Sequence, residues 1–354
     1  MSLAATVEST RANEAVTVRT DAHATRVAAY AAGHSGASAY HDPVWLDIIA
    51  RAFRRRALLL TAHSGDRIVG MLPLVFFDSL LFGRFAVSLP FVNYGGVIAD
   101  NDDAAHALCD AAIEETQRAG GTHLELRHTA RVRPELIGRE HKVAMRLPLQ
   151  RTTDAQWQAL DRKLRNQVRK AEKSDLEAFV GGRELVADFY RVFARNMRDL
   201  GTPVYTRRWF EEVVARIDSA RVVVVRHRGV AVAAGIVHTH RGTMEVPWAS
   251  ANRDFNPLCA NVLLYWRLLS LAIESGAHTF DFGRSTPGEG TFRFKEQWGA
   301  GPHPLVWEYW LASGRAVPSL NPDNPRYGAA IRAWQRLPVP VATALGPLIV
   351  RHLP

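Results

Sequence analysis

The sequence is nearly empty of cysteine: only Cys109 and Cys259 occur in 354 residues, far apart and each within a helical pattern. Neither a disulfide framework nor a thiolate metal site is indicated, and a reducing compartment such as the cytoplasm fits best. Long apolar runs are missing as well. A membrane span needs ~18 consecutive apolar residues, and the nearest approach, "LPVPVATALGPLIV" at 337–350, is short and holds three prolines. It reads as a packed tail, with a peripheral contact at the inner face of the membrane as the alternative. The opening residues, MSLAATVESTRANEAV, contain acids and no continuous apolar core, so a frayed tail to about Thr20 is expected rather than a secretory signal. Asp281-Phe282-Gly283 matches a kinase metal motif, but neither a His-Arg-Asp loop nor a glycine-rich loop followed by a strand lysine accompanies it. His238 and His240 share a strand face as half of a metal site with no third ligand in view, so no metal is expected. No Gly-x-Ser-x-Gly elbow points to a serine hydrolase.

What is present is ordinary globular material, 47% hydrophobic and 22% charged. Single cores stop growing near ~250–300 residues, so two domains are expected. The net charge of +9 favours an anionic partner, whether nucleic acid, a phosphorylated small molecule or an acidic membrane surface.

The chain repeats itself. "WLDIIARA" at 45–52 has a counterpart in "WFEEVVAR" at 209–216, and "LLLTAHSGDRIVGMLPLV" at 58–75 in "VVVVRHRGVAVAAGIVHT" at 222–239. "GGTHLELR" at 120–127 aligns without gaps on "GAHTFDFG" at 276–283, placing Glu125 opposite Asp281. Each copy reads as a helix, a meander of strands, a long helix (102–119 and 260–275) and a further strand. The fold class is therefore α/β, with a mixed, mostly antiparallel sheet covered by helices in each copy. Between the copies, "DRKLRNQVRKAEK" at 161–173 carries six cations and two acids around an apolar stripe of Leu164, Val168 and Ala171. This is an amphipathic helix. Its basic face is either merely solvated or, at a seam between domains, a phosphate site made by Arg162, Arg165, Arg169 and Lys170.

The repeat, the basic helix and "FRFKEQWG" together resemble the FemAB family of tandem GNAT-like acyltransferases. "GRFAVSLPFVNYGG", "VFARNMRDLGTPVY", "EVPWAS", "FDFGRSTPGEGTFRFKEQWG" and "LNPDNPRY" look like its subgroup found with PEP-CTERM/exosortase exopolysaccharide systems, over residues 35–354. The layout this implies is a disordered tail (1–25), a first GNAT-like domain on the acceptor side (26–150), a basic linker helix (151–175), a second domain on the donor side (176–312) and a C-terminal helical tail (313–354). The activity implied is acyl or aminoacyl transfer to an envelope polysaccharide or a lipid- or nucleotide-linked precursor. The donor, aminoacyl-tRNA or acyl-CoA, is a co-substrate, and no tightly bound cofactor is expected. The Gln/Arg-x-x-Gly-x-Gly/Ala loop with which CoA-dependent GNAT enzymes cradle pyrophosphate is missing before both long helices. No heptad pattern marks the coiled-coil arm of some relatives. Rival readings are an acyl-CoA-dependent acetyltransferase and a non-catalytic protein that binds precursor or RNA.

The stretch "TFRFKEQWG" alternates as a short strand would, with Phe292 and Phe294 on one face and Arg293, Lys295 and Gln297 on the other. In the resembled family the Phe-Lys pair of this motif sits at the acyl-donor site, which places Phe294 and Lys295 there. A cation at Lys295 suits the negative charge that builds on an attacked carbonyl oxygen, where one donor is worth ~2.7–4 kcal/mol, or a donor phosphate. Arg284 suits a donor phosphate or an ion pair with Asp281, and Asp281, Arg293 and Trp248 complete the donor-side set. Glu245, on the third strand of the second copy, is the candidate general base, with an ion pair to Arg241 or Arg253 as the bland alternative. Arg198, Asp199, Thr202 and Tyr205 around a Gly-x-Pro turn suit an acceptor sugar or phosphate, and Asn93 and Tyr94 form a second such corner.

Overall fold

The structure, a computed structural model, describes residues 15–20, 23–79, 83–317 and 325–353. The first half runs β1 (Val16–Arg19), α1 (Ala24–Gly33), α2 (Val44–Phe53), β2 (Ala57–Ser64), β3 (Arg67–Ser79), β4 (Gly83–Val87), β5 (Ile98–Ala99), α3 (Asp102–Arg118), β6 (His123–His128) and β7 (Ile137–Pro148). Helices α4 (Thr153–Ala159) and α5 (Arg162–Glu172) lead to the second half. That half runs β8 (Leu176–Gly181), α6 (Val186–Leu200), α7 (Arg207–Arg216), β9 (Arg221–His227), β10 (Val230–His240), β11 (Thr243–Ala251), α8 (Ala260–Glu274), β12 (Thr279–Ser285), α9 (Gly290–Glu296) and β13 (Gly301–Leu311). Helices α10 (Pro325–Gln335) and α11 (Val339–Val350) follow.

The repeated segments take the forms their patterns predict. β3 and β10 are apolar on both faces and lie buried within the sheet. The long helix α3 starts where the Asn101 side chain accepts from the Ala104 amide, with Asp102 and Asp103 favourably placed against the helix dipole. α2 and α7 pack on each other, Trp45 meeting Trp209 at 5.9 Å. These two helices and α6 cover one face of the sheet across both halves. The other face is covered by α3 in the first half and by α8 with α5 in the second.

The two halves make one continuous sheet, in the order β1-β2-β3-β4-β6-β13-β7-β12-β11-β10-β9-β8, with β5 off this path beside β3. The final strands are exchanged: β13 of the second half pairs with β6 of the first, and β7 of the first pairs with β12 of the second. β13 and β7 then pair with each other across the middle. Among the described residues only β4–β6 and β11–β12 are parallel, so the sheet is mixed and mostly antiparallel. Buried polar groups fasten each exchange. Tyr309 of β13 donates to Glu125 of β6 at 3.0 Å, His128 of β6 meets Glu308 of β13 at 2.7 Å, and Arg146 of β7 donates to Asp281 of β12 at 3.0 Å.

Three expectations change. Val16–Arg19, assigned to a frayed tail, pair with β2, while residues 1–14 and 21–22 lie outside the described residues. "TFRFKEQWG" is helical through Glu296 rather than a strand. Its alternation concealed a four-residue spacing from Phe294 to Trp298, which sets both rings beside Tyr265, at 5.0 and 6.2 Å. The basic helix α5 joins the halves in sequence but not in space, because its apolar stripe packs on α8 at the outer face of the second half.

Candidate active site

The parallel ladder between β11 and β12 is short. It pairs Thr243 with Thr279, Met244 with Phe280 and Glu245 with Asp281, and ends there, although both strands continue. On the far side of β12 the register to β7 shifts between Asp281 and Arg284. Gly283 lies inside that irregularity with φ +73°, and a Cβ on it would meet the Val246 carbonyl oxygen at 3.2 Å and Asn93 Nδ2 at 3.1 Å. Gly283→Ala is expected to cost about 1–3 kcal/mol for the left-handed conformation alone, measurable by urea unfolding. A fully stable alanine variant would mean that the strands do not part at this residue.

Where the strands part, Lys295 substitutes for the missing ladder. Its ammonium donates to the carbonyls of Gly283 and Arg284, both at 3.0 Å. The side chain is only 7% exposed. Burial pushes its pKa down to about 8, against the pull of Asp281 and Glu245. Alongside lies a cleft of about 350 Å³, lined by Lys295 and Phe294, by Tyr265 and Asn261 near the start of α8, by Ser250 of β11 and by Asn196 of α6.

At the closed end of the split the two carboxylates are held differently. Glu245 Oε1 accepts from Tyr40 OH at 2.8 Å and Asn93 Nδ2 at 2.6 Å, and Oε2 accepts from Tyr94 OH at 3.3 Å. All three donors come from the first half. Burial, reinforced by repulsion from Asp281, pushes the Glu245 carboxyl up to about 8. Asp281 accepts from Arg146 Nε at 3.0 Å, from the Gly283 amide at 2.8 Å and from Tyr94 OH at 3.4 Å. The Tyr94 hydroxyl therefore lies between both acids. His238 approaches Glu245 at 3.9 Å, but burial holds its pKa down to about 4, so the imidazole is neutral at neutral pH.

The structure brings together Lys295, Phe294, Glu245, Asp281, Asn93 and Tyr94 and separates the rest. Glu245 pairs with neither Arg241 nor Arg253. Arg241 bonds the carbonyls of His34 and Ala32 instead. Arg284 does not pair with Asp281, whose arginine is Arg146. It stacks over Trp307 at 5.0 Å, next to Arg127 at 4.5 Å from the same ring. Its Nη1 is buried and has no hydrogen-bond partner among the described residues. Trp248 is core, edge-on to Trp209 and Phe210, so it is not free to hold a donor. Arg293 is exposed on α9. Arg198 pairs with Asp199 at 2.8 Å and donates to the carbonyls of Gln335 and Leu337, which fixes the end of α10. Tyr205 packs among Phe53, Phe91 and Phe193, and Thr202 is exposed. Arg162 and Lys170 line an open groove on α5, Arg165 bonds Gln158 and Arg169 lies over Trp157. All four are on the opposite side of the sheet from Glu245. Among the described residues no three potential ligands gather to hold a metal ion.

Sequence reasoning missed Tyr40, Arg146 and His238 as neighbours of the acid pair. Arg146 carried a signal, a lone cation inside the apolar strand "VAMRLP", where a buried charge needs a partner. Tyr40 lies 205 residues from Glu245 and offered none.

The family profile described as "Acetyltransferase (GNAT) domain" matches residues 159–296, the span that contains β11, β12, Glu245 and Lys295. The second half carries a GNAT domain. Solved structures extend the likeness of fold to most of the chain. FemX superposes with a TM-score of 0.63 at 13% identity, covering 82% of this chain and 96% of its own. A tandem GNAT protein from the clavulanic acid biosynthesis pathway gives 0.53 at 12% identity, covering 86% and 100%. L-PGS from Bacillus licheniformis gives 0.53 at 12% identity, covering 88% and 97%. No curated protein sequence matches the chain. The GNAT domain and its exchanged partner half thus form a tandem GNAT-like fold, with the split strands in the GNAT domain.

Proposed function

We propose that the protein is an acyltransferase of the FemAB type, moving an acyl or aminoacyl group from an activated carrier to an amine or hydroxyl of an envelope or exopolysaccharide precursor. The observation that carries this reading is the parting of β11 and β12 at a buried acid pair, with a buried ammonium in the gap and an open cleft beside it. The donor's ester or thioester enters that cleft. The acceptor's lone pair attacks the carbonyl carbon, a C–N or C–O bond forms, and the bond to the carrier breaks. Lys295 uses two N–H groups on carbonyls and keeps the third for the developing oxyanion. Glu245, whose pKa is raised to about 8, acts in its ionised form: it takes the acceptor's proton by way of the Tyr94 hydroxyl, and that proton is passed on to the leaving group as it departs.

A second reading keeps this chemistry and makes the donor acyl-CoA. It is favoured by the GNAT domain match, which covers the half with the cleft. Purified protein given acetyl-CoA or aminoacyl-tRNA is expected to show saturable thermal stabilisation by its true donor and transfer to isolated precursor. Comparison of envelope glycans from strains with and without the gene then identifies the acceptor. An unchanged glycan would remove the polysaccharide assignment, and polyanion binding with steep salt dependence but no transfer would favour a binding protein. Glu245→Gln is expected to keep its tyrosine and asparagine contacts and lower kcat at least tenfold, abolishing the rise of rate toward pH 8. An unaltered pH profile would exclude Glu245 as the base.

A further inference from the structure

The C-terminal helix α11 is apolar on the side that faces water. Residues 339–350 include no charged side chain. Ala342, Gly346 and Val350 are buried where α11 packs on α6. The chain just after α6 also approaches closely, because a Cβ on Gly346 would fall 2.8 Å from the Val204 amide nitrogen. The next face carries Val341, Leu345, Leu348 and Ile349, exposed by 41%, 42%, 58% and 39%. Surface helices of soluble proteins turn polar residues outward, so a continuous outward apolar stripe marks a contact surface.

The chemistry of the partner comes from what flanks the stripe. Arg55 donates to the Arg351 carbonyl at 2.9 Å and meets His352 at 3.1 Å, which places the end of α11 beside the loop after α2. There Arg54, Arg55, Arg56 and Arg84 line a recess of about 290 Å³ floored by Phe76 and Phe77. The acids close to these arginines are Asp78, beside Arg84 at 3.3 Å, and Glu115, beside Arg56 at 3.6 Å. Counting Arg351, five cations face two carboxylates. An apolar stripe bordered by excess guanidinium groups matches the boundary of an anionic bilayer, where acyl chains accept the stripe and phosphodiesters the cations. We propose that α11 and the Arg54–Arg56 recess dock the protein on a membrane surface rich in anionic phospholipid. No helix among the described residues is long and apolar enough to cross a membrane, so the contact lies along the surface. The proposal is independent of which group is transferred.

Sedimentation of the full chain with phosphatidylglycerol vesicles, compared with phosphatidylcholine vesicles, tests it. Binding to the anionic vesicles alone is expected, weakening with salt. The doubly substituted Leu345→Glu/Leu348→Glu chain is expected to bind at least tenfold more weakly, and Arg54→Gln, at an exposed position, about fivefold. Both variants are expected to retain the wild-type thermal midpoint and transfer to a soluble acceptor. Absence of vesicle binding, or equal binding by the charged variant, overturns the proposal. So does a wild-type dimer in light scattering that becomes a monomer in that variant, since the stripe would then face a second copy of this chain. Should the double variant fail to fold, Arg54→Gln alone decides, and binding as tight as wild type refutes the proposal.

Discussion

Lys295→Met is expected to lower kcat/KM by about 10²–10³-fold, the loss associated with one donor to a developing oxyanion. Methionine keeps much of the unbranched stem but removes the ammonium, so Gly283 and Arg284 lose a carbonyl partner each. That second effect is structural and is separated by measuring the thermal midpoint with kcat. A chain that melts earlier yet turns over normally would reduce Lys295 to a strut. The pH profile offers an independent signature. Transfer needs Lys295 protonated and Glu245 deprotonated; burial lowers the first pKa and raises the second, bringing both to about 8. Rate therefore rises as Glu245 loses its proton, falls as Lys295 loses its own, and peaks near pH 8 in a narrow bell. Lys295→Met should remove the alkaline limb, and Glu245→Gln the acid limb.

The largest expected loss of stability follows Arg127→Leu, at about 3–5 kcal/mol, the cost of stranding a buried carboxylate. Arg127 is 3% exposed and Glu125 8%. Arg127 Nε donates to Glu125 at 2.7 Å, Nη1 reaches the Val92 carbonyl at 3.3 Å, and the guanidinium covers Trp307. After the substitution Glu125 retains Tyr309 alone among these partners. Adding Glu125→Leu is expected to recover more than half of the loss, because an apolar pair demands no solvation. Urea unfolding of the four chains of this cycle measures the coupling directly. Strict additivity would show that the pair does not act as a unit.

The repeat made much of the fold readable. Trp45 and Trp209 opened equivalent helices, and the alignment of Glu125 on Asp281 found two buried acids at equivalent strand positions. Each acid has an arginine and a tyrosine: Arg127 and Tyr309 for Glu125, Arg146 and Tyr94 for Asp281. Local pattern could not reveal the exchange of β7 and β13, because hydrophobic alternation states that a strand exists and not which edge it joins. The candidate site was legible where a motif carried it, at Phe294, Lys295, Glu245 and Asp281. It failed for Trp248 and Arg198, whose residue types suit a ligand as well as they suit core packing or a helix end. Nor did the sequence show that Asn93 and Tyr94 reach across from the other half to touch Glu245.

The crossed-over strands also govern the molecule's birth. β6 emerges from the ribosome well before its neighbour β13, the stretch from His128 to Gly301 taking roughly 9–35 s at ~5–20 residues per second. Throughout that wait β6 lacks its native neighbour on one edge, a template for any extended peptide in reach. The sheet closes only when its last strand slips into the centre, so a chain cut short before β13 is left with an open seam.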